Sequence, residues 1–144
     1  MRNKLFSGMI VGVLLALAGC ASGPKFAEYQ SELAPVAEDS GRIYVYRNSA
    51  FGAAIQPAVR LNDEVVGKAK PKGFFIIDRP AGDYVLSAST EAKRSLSLAL
   101  ENGEEKYVRL EIKIGVLAGH IKPVLVEPEI GMEEIKKTKY IGGE

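Results

Sequence analysis

One histidine and one cysteine in 144 residues withhold most of the chemistry on which a small enzyme draws. A hydrolytic or transfer reaction needs a nucleophile, a base and a group that holds developing charge. His120 stands beside Gly119, just ahead of an apolar run, a position that suits a solvated loop residue or a structural hydrogen-bond donor. No serine occupies a Gly-x-Ser-x-Gly turn. A zinc site of nitrogen and sulfur ligands cannot be assembled from two such donors. Glu101, Glu104 and Glu105 surround a turn but lack the alternating aspartates of a calcium loop. Charge of one sign is scarce as well: 19 Lys and Arg against 18 Asp and Glu leave a formal +1, and the basic excess that drives nucleic-acid binding is missing. The composition points to a protein that is not an enzyme, with no cofactor and no metal.

The most informative stretch lies near the amino terminus. Arg2 and Lys4 precede an uncharged, mostly apolar run that starts at Leu5 and closes on Leu17-Ala18-Gly19-Cys20. A basic start, a short apolar segment and small residues before a cut are the features of a secretory signal peptide. Because cysteine stands directly after the cut, the pattern resembles the lipobox of bacterial lipoproteins. That resemblance implies cleavage between Gly19 and Cys20 and acylation of Cys20. A spanning helix needs about 20 apolar residues, whereas here the strongly apolar part ends at Leu17 and Ala18 to Gly23 is small and breaker-rich. Two or more acyl chains anchor stably, at about 0.8 kcal/mol per buried methylene. Ala21 stands where resemblance to enteric lipoproteins associates an aspartate with inner-membrane retention, so the resemblance implies the outer membrane, facing the periplasm. Removal of residues 1–19 takes Arg2 and Lys4 away and the formal charge from +1 to −1. Lipidation also consumes the one cysteine, so packing rather than a disulfide must hold the domain.

Residues 20–40, the acylated cysteine and the segment attached to it, carry two prolines, small residues and scattered charges without a sustained period. They are expected to form a flexible tether averaging about 25 Å, with a short helix conceivable at Phe26 to Gln30. From Gly41 to Glu144 short apolar runs alternate with turn residues, the mark of an all-β domain. Arg42 to Arg47 is rich in aromatic and β-branched residues. Asn62-Asp63 and Asn102-Gly103 are hairpin turns, and Pro80 to Asp83 turns the chain again. Gly73 to Ile77 is apolar throughout, as a strand covered on both faces should be. Leu96, Leu98 and Leu100 alternate with Ser95 and Ser97, and Val108, Leu110, Ile112 and Ile114 with Arg109, Glu111 and Lys113. Ile121 to Glu127 holds Pro123, which places that strand at an edge or at its own start. Gly131 to Tyr140 has the spacing of a short amphipathic helix. The expected fold is an antiparallel β-sandwich of seven or eight strands with a C-terminal helix.

Several stretches are similar to a family of small bacterial lipoproteins that share an uncharacterised β-sandwich domain of unknown function. They are Arg42 to Arg47, Val59 to Gly67, Phe74-Phe75, Pro80 to Tyr84 and Glu127 to Gly131, within roughly residues 40–140. The resemblance implies a sandwich on a lipid anchor and brings no activity with it. From the residues, the expected role is a non-enzymatic module that binds or positions another envelope protein; the alternative is capture of a glycan, peptide or lipid. Candidate surfaces are Tyr44 and Tyr46, which share one strand face and could stack a ligand if that face is open, and Lys68, Lys70 and Lys72. These lysines suit phosphate headgroups or acidic glycan; they also suit an edge strand kept from pairing.

Overall fold

Among the described residues, nine strands form two sheets, with short helices beginning at Phe26 and Pro128. The structure, a computed structural model, describes residues 21–90, 93–114 and 119–142. In chain order the elements are α1 (Phe26–Glu32), β1 (Ser40–Tyr46), β2 (Ala58–Leu61), β3 (Glu64–Lys68), β4 (Gly73–Pro80), β5 (Gly82–Ser89), β6 (Lys93–Leu100), β7 (Glu105–Ile114), β8 (Gly119–Val126), α2 (Pro128–Ile135) and β9 (Lys139–Tyr140). One sheet has the order β8-β7-β1-β4-β9 and the other β3-β2-β5-β6. The expected β-sandwich with a C-terminal helix is the fold observed. Most neighbours are antiparallel, but β1 runs parallel to β7 and β4 parallel to β9. Alternation is the same for either direction, so it could not announce these two pairings.

Turn chemistry explains the hairpins. Asn62 and Asp63 both take positive φ, 47° and 69°, the left-handed pair that matches the twist of a two-residue hairpin. Gly103 sits at φ 75° in the β6–β7 turn. Pro123 lies inside β8, which is an edge strand, the setting in which a strand proline is tolerated.

Between the sheets lies a core of aliphatic side chains with Phe75, including Ile43, Val45, Leu86, Leu100, Val108 and Leu110. The other face of β1 and its neighbours is covered too. Phe26, Tyr44, Tyr46, Phe74, Tyr107 and Ile135 form a second buried cluster, roofed by α1 and α2. Two glycines permit close approach. A Cβ on Gly67 would meet the Phe75 ring at 2.6 Å, and one on Gly131 would collide with Tyr107. Both glycines fall in stretches that carry the family resemblance.

Three expectations change. Within the segment expected as a tether, the part from Ala21 to Ala34 touches the fold: Phe26 is 3% exposed, the Ala21 N–H donates to the Pro71 carbonyl at 3.2 Å, the Tyr140 N–H donates to the Pro24 carbonyl at 2.8 Å, and the Ala34 carbonyl accepts from Arg42. The C-terminal helix begins at Pro128, whose fixed φ suits a first helical turn. It ends at Ile135, because Lys139–Tyr140 pairs with Gly73–Phe74 instead. Finally, β4 and β5 extend so far that Ala81 alone separates them.

Candidate functional site

The side chains singled out by sequence fall into an aromatic layer and a basic end. In the layer, Tyr44 and Tyr46 leave β1 on the side away from the aliphatic core. Tyr44 is 2% and Tyr46 0% exposed, so they offer no open stacking platform. Tyr44 stacks on Tyr107, ring centroids 4.7 Å apart, and meets Phe26 edge-on. The physical reason is the cover that α1 and α2, rather than a second sheet, place on this face. The hydroxyls reach the rim of the layer. Tyr44 donates to Glu105 at 3.2 Å and Tyr46 to Glu134 at 2.6 Å. Burial pushes both phenols, and that of Tyr107, above their ordinary range.

Charged groups tie the helices down. Arg109 on β7 donates to Glu134 on α2 at 2.7 Å and to Glu111 at 2.7 and 3.1 Å. Lys113 completes the chain to Glu111 at 2.9 Å, and hydrogen bonds from Lys113 and Arg109 hold the Glu111 carboxyl below its usual range. Arg42 forms a bidentate pair with Asp78, its partner across β1 and β4, at 2.7 and 2.8 Å, and also donates to the Ala34 carbonyl at 2.9 Å. Planar guanidinium suits such a fork. Among the described residues, no group of three or more His, Cys, Asp or Glu is placed to hold a metal ion.

Arg47 builds the basic end. Fully buried, it donates to the carbonyls of Ile55, Ala69, Phe51 and Gly52 at 2.6–2.9 Å. It thereby binds the loop between β1 and β2 to the turn before β4. Lys68 ends the edge strand β3 and is exposed. Lys70 and Lys72 flank buried Pro71, and Lys72, at φ 58°, donates from Nζ to the Asn48 carbonyl at 3.0 Å. The three lysines thus lie along the end of β3 and the turn before β4, with Ala21 bonded to Pro71 between Lys70 and Lys72. Near it stand two large exposed apolar side chains that sequence reasoning missed as surface: Phe51, 62% exposed, and Ile114, 65% exposed. Gly52 packs on Ile112, and Gly119 lies against Ile55 and Ile114, so both belong to this end. A lone aromatic among Ser49, Ala50 and Gly52 was the available signal.

The opposite end is acidic. Glu101, Glu104 and Glu105 lie just beyond β6, beside the start of β1. A cleft of about 280 Å³ there is lined by Glu104, Glu105, Lys106, Glu127, Pro128 and neighbouring β8 residues. His120 pairs with Lys113 across β7 and β8, far in sequence register from that cleft. Gly19 and Cys20, the expected cleavage and lipidation residues, lie outside the described residues.

A family model for proteins of unknown function, DUF2846, matches residues 37–121. The chain belongs to that family. The DUF2846 match runs from just before β1 into β8 and so covers most of both sheets, while α1 and α2 fall outside it. An uncharacterised protein of Haemophilus influenzae is 31% identical over 142 residues, an alignment covering 94% of this chain and 84% of the relative. No solved structure matches. Among the described residues, no helix is long and apolar enough to cross a membrane.

Proposed function

We propose that this DUF2846 protein is a bacterial envelope lipoprotein, held by acyl chains on Cys20 in the outer membrane and facing the periplasm. There it acts without catalysis, binding or positioning another envelope protein. The observation that carries the reading is the Leu17-Ala18-Gly19-Cys20 sequence behind a basic start and an apolar run. The docked segment after Cys20 supports it, because a chain leaving that residue enters the fold at once through Ala21, Pro24 and Phe26. The charged side chains argue for a structural module. Glu134, Glu111, Arg109, Arg42 and Asp78 tie helices, strands and the leading segment to one another.

Capture of a ligand on the Tyr44 and Tyr46 face is not retained, since both rings are buried. Covalent cross-linking in intact cells, read by mass spectrometry, tests the proposal. The wild type is compared with a Cys20→Ala form exported by an ordinary signal peptide. A discrete envelope protein captured by the wild type supports a positioning module, and capture of no discrete protein at native expression contradicts it.

A further inference from the structure

Ala21, the lysines and the exposed apolar residues lie at one end of the sandwich. Ala21, next in the chain to the proposed lipidation residue, is itself bonded to Pro71, between Lys70 and Lys72. Consecutive Cα atoms lie about 3.8 Å apart, so acyl chains on Cys20 bring the bilayer surface against this turn. With Ala21 bonded to that turn, no length of chain separates Cys20 from the fold. Arg47 binds the Phe51 loop to the same turn through Ala69, and the end of β7 contributes Ile114. Exposed apolar side chains at the same end as several lysines are what an interfacial surface presents, the apolar groups entering the headgroup boundary and the cations meeting anionic lipid. Glu101, Glu104, Glu105 and Glu127 gather at the far end, where repulsion from such a lipid is least.

We propose that the end formed by Lys68, Lys70, Lys72, Phe51 and Ile114 is a membrane-docking face that rests on anionic phospholipid, fixing the domain's orientation with its acidic end outward. This rests on the lipid-anchor reading and adds to it a surface, a ligand class and a direction.

The test uses the full, acylated protein in vesicles of phosphatidylcholine and phosphatidylglycerol that carry a lipid-borne quencher. Acylation leaves Cys20 without a free thiol, so a cysteine introduced as Ala54→Cys, on the exposed loop near Phe51, or as Asn102→Cys, at the acidic end, takes a single fluorophore. Flotation with the vesicles, with quenching at position 54 and not at 102, is the expected result. Flotation with equal quenching at both sites, or with none, overturns the docking face while leaving the anchor standing. Failure to float overturns the anchor and the face together. Lys68→Glu with Lys70→Glu is expected to lower quenching at position 54 severalfold without moving the thermal midpoint; unchanged quenching overturns the assignment to anionic headgroups.

Discussion

The Tyr46 hydroxyl donates a 2.6 Å hydrogen bond to Glu134, joining the second strand-face residue of β1 to the last turn of α2. Arg109 donates to the other oxygen of the same carboxylate at 2.7 Å. A buried phenol and a guanidinium thus share one carboxylate, each on its own oxygen. Removing it by Glu134→Ala leaves both short of a partner and is expected to destabilise the domain by about 1–3 kcal/mol. Thermal unfolding checks the loss, and faster amide exchange confined to residues 128–135 checks its location. A midpoint equal to wild type would show that α2 is held by packing alone.

Gly131 lets α2 lie against Tyr107, where a Cβ would collide with the ring. Gly131→Ala should therefore destabilise, by about 1–3 kcal/mol of overpacking, although alanine is the better helix former by about 1 kcal/mol. Chemical denaturation of the two proteins decides the sign.

Phe26→Ala probes the docked leading segment. Loss of a buried phenylalanine costs about 3 kcal/mol or more, while a substitution in a free tether stays within about 0.5 kcal/mol. Equilibrium unfolding in urea separates these outcomes. The larger value is expected, since Phe26 packs edge-on against Phe74 and Tyr44 at 5.3 and 5.9 Å.

Much of the sandwich was legible because its signals are local. Asn62-Asp63 announces its own turn, and Leu96, Leu98 and Leu100 announce their own inward face. Phe26 gives no such signal: its burial comes from strands distant in the chain, and a single aromatic makes no period. The Lys139–Tyr140 strand is too short for alternation. Alternation along β1 puts Tyr44 and Tyr46 on one face, but only the helices that cross it decide that the face is closed. For the basic end the three lysines are visible in sequence, whereas their meeting with Ala21, Phe51 and Ile114 depends on Arg47 and the turn before β4.

The aromatic layer makes stability sensitive to alkali. Burial is the largest cause raising the phenols of Tyr29, Tyr44, Tyr46 and Tyr107, that of Tyr29 to about 12. In the unfolded chain tyrosine ionises near pH 10. A group that holds its proton more tightly when folded contributes stability that is fully present below its unfolded value and is lost as pH rises through the folded one. Stability should therefore decline from about pH 10 upward, and phenolate absorbance from these residues should appear with unfolding. Glu111, held low by Lys113 and Arg109, acts in the opposite direction: its contribution is present above the ordinary carboxylate range and fades as pH falls below it. Urea midpoints measured across pH, with phenolate absorbance followed in parallel, check both arms.

The most direct test of the central claim is the intact mass of the protein extracted from the membrane fraction of its native cells. The account predicts a chain that begins at Cys20, lacks residues 1–19 and carries the added mass of acyl chains, all of which Cys20→Ala abolishes. A chain that retains Met1 to Gly19, or one cleaved there but bearing an unmodified cysteine, would contradict it.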